Sequence, residues 1–234
     1  MCHTLIKFLR QELSGWEKWE LGWLFFSLAT IASLSFYWGD SAMGIVSAST
    51  GVVAVVCTGK GKRMTYVFGL VNVSLYSILS FESKFYGEVM LNALYFLPMQ
   101  FYGFYSWTKN CDQSTGVVLM RRMSVKELAI VGSVISASSL LYGFFLAKAG
   151  GNLPYLDAVS TVASIVAMVI SVKRFAEQWL LWIMVNVVSI AMWGYSFFCL
   201  SSDGIATLVM WSIYLVNAII MYIEWIKPSA KPLA

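Results

Sequence analysis

The chain has 234 residues, 59% of them hydrophobic and 12% charged, with a formal net charge of +4 and a mean hydropathy of +0.72. An average soluble domain carries about 25% charged residues, so this composition excludes a soluble globular enzyme, and its 16% aromatic content excludes a solvated coil. No basic stripe accompanies the small net charge, which argues against nucleic-acid binding and leaves an integral membrane protein.

Residues 1–20 read as a cytoplasmic or interfacial segment. Glu12, Glu17 and Glu20 interrupt it and no small-residue cleavage site follows a short apolar core, so it is not a signal peptide. Trp16 and Trp19 beside Lys18 have the pattern of an interfacial anchor. Uncharged runs then follow at Leu21–Gly39, Ser41–Gly59, Met64–Phe81, Val89–Thr108, Leu128–Ala147, Ala158–Val172, Gln178–Ser202 and Gly204–Ile223. A transmembrane helix takes roughly 17–25 residues. Seven of the eight runs reach that length, and the sixth does so only if Ala149–Leu156 lends a turn at its entrance. None shows the alternation of a barrel strand. The expected fold class is therefore all-α, a polytopic transmembrane helical bundle of eight spans.

Orientation follows from lysine and arginine. With a cytoplasmic N-terminus and eight spans, 14 of the 16 basic residues fall on the inner side and only Lys84 and Lys148 outside. Both termini are then cytoplasmic. Pro98 and Gly103 are expected to bend the fourth run, offering either a hinge or a static kink. Gly150-Gly-Asn-Leu-Pro154 is a helix breaker.

Two parts of the chain resemble each other. Residues 41–109 form a first three-helix repeat, 110–148 a cytoplasmic loop and linker helix, 155–227 a second repeat and 228–234 a tail, with the run at 21–39 extra in front. Gly69-Leu-Val-Asn72-Val matches Ile183-Met-Val-Asn186-Val at an offset of 114, and Gln100 matches Asn217 at 117. One linker helix between two three-helix halves makes the repeat parallel, 3+1+3.

His3 is the only histidine and lies in the tail. A Ser–His protease on a span and a histidine-based metal or haem site are thereby excluded. No carboxylate pair lies mid-span to act as an aspartyl dyad or proton relay, and the four cysteines form no CxxC pair, so neither catalysis nor disulfides nor a cofactor is expected. The chemistry sits instead in aromatic and carboxamide groups. Trp179, Trp182, Asn186 and Trp193 share one helical face, two indoles one turn apart followed by an amide. Indole faces hold cations, and a carboxamide both donates and accepts; the plainer alternative for Trp179 is membrane-belt decoration. Phe68 and Asn72 are placed similarly in the first repeat. Asn92, Phe96 and Gln100 make one further stripe, and Met210, Tyr214, Asn217 and Met221 another. Mid-membrane amides either glue helices together or build a central polar site.

The strings Tyr66-Val-Phe-Gly-Leu-Val-Asn-Val-Ser-Leu75, Gln100-Phe-Tyr-Gly-Phe-Tyr-Ser-Trp107 and Trp179-Leu-Leu-Trp-Ile-Met-Val-Asn186 resemble the PnuC-type vitamin transporters, specifically those for nicotinamide riboside, over about residues 41–227. The resemblance implies a SWEET-like fold in a bacterial inner membrane, assembly into a homotrimer, and facilitated, uncoupled passage of nicotinamide riboside with trapping by phosphorylation inside the cell. The reading of the residues agrees in kind: Trp179 and Trp182 are expected to stack on the substrate's cationic ring, and Asn186, Gln100, Asn72 and Asn217 to bond its amide and hydroxyls, with Asn92, Phe68 and Tyr214 lining the site. Three rivals stand beside this: a carrier of thiamine or riboflavin, a capture subunit driven by a separate ATPase, and a sugar carrier.

Overall fold

The apolar runs fold into helices whose bounds are set by the residues at their ends. The structure is a computed structural model that describes residues 2–39, 41–82, 89–148, 150, 153–200 and 205–227. Among these residues there are nine α-helices: α1 (Cys2–Leu13), α2 (Lys18–Trp38), α3 (Ala42–Gly59), α4 (Met64–Glu82), α5 (Leu97–Lys109), α6 (Val125–Lys148), α7 (Pro154–Val172), α8 (Gln178–Leu200) and α9 (Ile205–Ile226). A π-helical segment, Leu91–Phe96, leads into α5. The only extended pairing among the described residues is two isolated bridges, Cys111 with Val118 and Arg121 with Phe175. Five helices carry stretches long and apolar enough to cross a membrane, at Lys18–Trp38, Ala42–Gly59, Val125–Lys148, Pro154–Val172 and Leu208–Ile226.

Capping explains several boundaries. Glu17 and Glu20 form a reciprocal box at the start of α2, and Gly39 closes it with φ 73°. Ser41 accepts the Gly44 N–H at 3.0 Å to open α3. The short sixth run gains its missing turn because Pro154 starts α7, where a proline fits the first helical turn and its absent N–H costs nothing. The disturbance expected at Pro98 takes the form of a widened turn: the Leu97 N–H bonds to the Asn92 carbonyl, five residues back. Proline cannot donate to the carbonyl four residues before it, and a π turn just ahead absorbs that mismatch.

Described residues up to Met120 form one compact unit, α1–α5, and those from Arg121 form a second, α6–α9. In the first, α3 packs on α2 and α4, and α4 packs on α5 and the π segment; in the second, α6, α7, α8 and α9 pack in sequence order. Large apolar side chains on α2 and α6 remain uncovered, Phe36 at 88% and Leu140 at 66% exposure among them. Uncovered apolar faces of this extent are stable in lipid and not in water.

The segment at 1–20 is more ordered than its sequence announces. Its α1 is anchored on the first unit by Phe8, whose ring lies 6.0 Å from that of Phe104 and under the Arg63 guanidinium at 4.8 Å. Trp16 donates to the Glu12 carbonyl at 2.9 Å and Trp19 to the Glu17 carboxylate at 2.8 Å, so both indoles brace the α1–α2 turn.

Candidate functional site

In the second unit, Trp179 stands in the first turn of α8, buried and edge-to-face with Trp225 near the end of α9, the ring centroids 5.8 Å apart. The first turn of one helix thus meets the last of the other, so α8 and α9 run antiparallel. Trp182, one turn further, is half-buried. Asn186 (2% exposed) and Asn217 (0%) are buried amides. At about 1.5 Å per residue both lie roughly 10–12 Å along their helices from the indole pair, at the same depth. Tyr214 is half-buried and edge-to-face with Trp211 at 5.7 Å. Trp179 is therefore packed against Trp225, while Trp182 stays partly uncovered. The side chain of Trp193 lies outside the described residues.

In the first unit, Phe68 and Asn72 are half-buried. Asn72 donates from Nδ2 to the Ser47 carbonyl at 2.8 Å, which ties α4 to α3 in the manner of helix glue. Asn92 is buried within the π segment and Gln100 is buried on α5. Gln100 lies over Gly69, where an added Cβ would fall 2.5 Å from its Oε1. Tyr66 fills a notch at Gly103 and meets Trp107 edge-to-face at 5.2 Å. A Cβ at Gly103 would fall 2.1 Å from the Tyr66 ring, which Trp107 holds in place. Gly103→Ala is accordingly expected to lower stability by about 1–3 kcal/mol, read as a lower melting temperature in detergent; a variant that melts with the parent overturns the notch.

The two units share a local design. Five backbone hydrogen bonds around the α3–α4 loop recur around the α7–α8 loop 113 residues later, among them Lys62 N to Cys57 O and Phe175 N to Ile170 O. Gly61 (φ 70°) corresponds to Arg174 (φ 68°), an arginine in the left-handed region that glycine occupies freely. The ring pair Tyr66–Trp107 corresponds to Trp179–Trp225, an offset of 113 on the first partner and 118 on the second. The loop bonds at 113 lie one residue from the sequence match at 114, so at the start of these helices Asn186 falls opposite Val73 in place of Asn72. The bond that closes the third helix of each set, Asn110 N to Trp107 O and Lys227 N to Glu224 O, recurs at 117, the offset at which Asn217 matches Gln100.

Loop ends carry ionic clamps that the sequence did not announce. The Glu12 carboxylate accepts from Arg63 Nε at 2.8 Å and from the Met64 N–H at 3.0 Å, capping α4. Glu177 does the same for Arg122 Nε at 2.8 Å and the Met123 N–H at 2.9 Å, just ahead of α6. The shared Arg-Met dipeptide is the signal that could have revealed both. Buried Lys62 donates to the carbonyls of Gln11 at 2.6 Å and Thr115 at 3.2 Å, and burial lowers its pKa from the ordinary lysine value. Hydrogen bonds from Ser114 and Thr115 hold Asp112 at a pKa of about 2. Gln178, absent from the expected site, is fully buried with neither amide atom paired among the described residues, and the Trp179 indole N–H is also unpaired. Among the described residues no group of three or more metal-ligating side chains occurs.

Residues 41–227 match the model of the family described as nicotinamide mononucleotide transporter. The chain belongs to this family. It is 38% identical over 224 residues to the nicotinamide riboside transporter PnuC of Neisseria mucosa, covering 93% of this chain and 84% of that protein. It is 34% identical over 229 residues to the PnuC of Haemophilus influenzae, covering 96% and 97%. A crystal structure of the vitamin B3 transporter PnuC superposes with a TM-score of 0.83 at 37% identity, covering 93% of this chain and 95% of that one. The PnuC family is one of membrane transporters, not of enzymes, and its helical character agrees with the apolar helices described above.

Proposed function

We propose that this chain is a passive uniporter for nicotinamide riboside in a bacterial inner membrane, with the substrate trapped by phosphorylation after entry. The observation that carries the reading is the α8 face, where a partly uncovered indole, Trp182, is followed one turn on by a buried amide, Asn186, at the depth of Asn217. An indole face attracts the cationic pyridinium ring by about 0.5–2 kcal/mol, and buried amides pair with a carboxamide or with hydroxyls at both their donors and their acceptor. Gln100, Asn92, Asn72, Phe68, Tyr214 and Trp179 complete the proposed set, with Trp179 and Asn72 acting through the positions of their neighbours.

The names carried by the family and by its curated relatives differ by one phosphate. A phosphate dianion inside a membrane protein calls for lysine or arginine, and none of the 16 basic residues lies within the eight uncharged runs. The riboside fits this distribution better. The same scarcity of mid-span charge supports uncoupled transport, since no carboxylate relay is in place for protons or sodium.

The reading includes eight spans with both termini cytoplasmic, a parallel 3+1+3 arrangement preceded by α2, and assembly into a homotrimer. The recurring loop bonds and ring pairs support the repeat, and the sorting of 14 basic residues to one side supports the orientation. In proteoliposomes holding only this protein, uptake of labelled nicotinamide riboside is expected to saturate without any ion gradient and to continue when ionophores are added. Uptake that needs a proton or sodium gradient overturns the uniporter, and competition by thiamine or riboflavin in preference to the riboside overturns the substrate.

A further inference from the structure

The loops that open α4 and α8 share a backbone but not their charges. The bonds Lys60 N to Val56 O and Gly61 N to Thr58 O recur 113 residues later as Lys173 N to Val169 O and Arg174 N to Ser171 O. Lys173 therefore stands where Lys60 stands in the first unit, and Arg174 where Gly61 stands. One bond from the loop at 110–124 repeats as well. Val118 donates its N–H to the Gly61 carbonyl at 2.9 Å, and Arg121 donates its own to the Arg174 carbonyl at 2.8 Å. In the first unit the cation at this place is neutralised: Lys60 pairs with the Glu20 carboxylate at 2.8 Å, and the residue beside Gly61 is a buried valine.

The second unit has cations at all of these places and no carboxylate on Lys173. The Lys173 side chain is exposed and forms no ion pair or hydrogen bond among the described residues. Arg121 is exposed, its guanidinium 4.5 Å from the centre of the Phe175 ring. Burial, and after it the like charge of Arg121, lowers the Arg174 pKa from the ordinary arginine value. The neighbouring acids are engaged. Glu177 accepts from Arg122 and from the Met123 N–H, and Glu127, within electrostatic reach of Arg121, accepts from the Ser124 N–H and hydroxyl at 2.8 Å each. The loop directly follows Pro154–Val172, a helix long and apolar enough to cross a membrane, so these cations stand at the depth of lipid headgroups.

We propose that Lys173, Arg174 and Arg121 form a site for the phosphate of an anionic phospholipid at the membrane surface where α7 ends. The anion that the first unit draws from its own Glu20 is drawn by the second unit from the membrane. Guanidinium groups pair with phosphate oxygens in a planar fork, and the lysine adds a point charge. The site is separate from the proposed substrate slot.

The test is thermal melting of the purified full-length protein in detergent micelles titrated with phosphatidylglycerol, with phosphatidylcholine as the zwitterionic control. Phosphatidylglycerol is expected to raise the melting temperature of the parent and phosphatidylcholine to leave it unchanged. In Lys173→Gln and in Arg174→Gly, the amount of phosphatidylglycerol that gives half of the shift is expected to rise about fivefold. Arg174→Gly puts at a left-handed position the residue that favours it, so this variant carries the test if the other does not fold. Lys18→Gln and Lys60→Gln are expected to keep the parent's lipid dependence, since neither belongs to the site. An equal rise in Lys18→Gln shows a diffuse charge effect and overturns the site, as does a parent that responds alike to both lipids. Inorganic phosphate that reproduces the shift at the same concentration overturns the lipid as its source. If Lys173→Gln alters the oligomeric state by light scattering and keeps the lipid dependence, the cations serve a second copy and the proposal fails.

Discussion

Trp182→Ala is expected to weaken nicotinamide riboside binding by about thirtyfold and to reduce uptake at sub-saturating substrate in proportion. The magnitude follows from losing a cation–π contact, about 1–2 kcal/mol when partly desolvated, together with part of the contact area an indole buries; about 2 kcal/mol corresponds to thirtyfold. Trp182→Phe is expected to keep a part of this, because a phenyl face also attracts cations, though less than indole does. Trp179→Phe should lose much less affinity, because the Trp179 ring is buried against Trp225 and serves as wall. Titration calorimetry on the three purified variants reads the order directly. Equal losses at positions 179 and 182 would show that the distinction between wall and slot is wrong, and unchanged binding in Trp182→Ala would remove α8 from the site.

The second large effect lies at the clamp between α1 and α4. Glu12→Ala is expected to destabilise the protein by about 3–5 kcal/mol, because it strands a buried guanidinium and leaves the first N–H of α4 unpaired. Glu12 and Arg63 are 3% and 6% exposed, so water cannot replace the lost carboxylate. Glu177→Ala removes the same pair of bonds in the second unit and should cost clearly less, since the Arg122 side chain is 47% exposed and stays hydrated once its partner is gone. Thermal melting in detergent compares the two. Equal shifts would mean that burial does not set the strength of these clamps, and a Glu12→Ala variant that melts with the parent would exclude α1 as a support of α4.

Much of this architecture is legible without coordinates because a membrane imposes simple rules. An uncharged run of adequate length must satisfy its own backbone, so it must be a helix, and the runs beginning at Ser41, Met64 and Gln178 start helices within a residue of the expected place. Trp182, Asn186, Gln100 and Asn217 stand out by type alone, since amides and indoles in an apolar run need a reason to be there. The register at the start of α4 and α8 was not legible. A one-residue shift on a helix turns a side chain by about 100°, and identical letters at an offset of 114 lie beside loop hydrogen bonds that recur at 113. The clamps were hidden for a different reason. Glu12 and Arg63 are 51 residues apart, and nothing local distinguishes a buried glutamate from a solvated one.

The sequence by itself determined the solvent, the helices and the chemical kind of the site, because each depends on composition and spacing along a single segment. Scarce charge dictates lipid, unbroken apolar length dictates helix, and indoles with amides in place of acids point to an aromatic substrate rather than to a proton or metal ion. Tertiary structure alone decided which indole packs against another ring and which stays partly uncovered, and what braces the N-terminal helix. Those depend on the volume and charge that one helix presents to another, as where Trp225 covers Trp179 and Gly69 makes room for Gln100. A single segment carries no record of what packs against it.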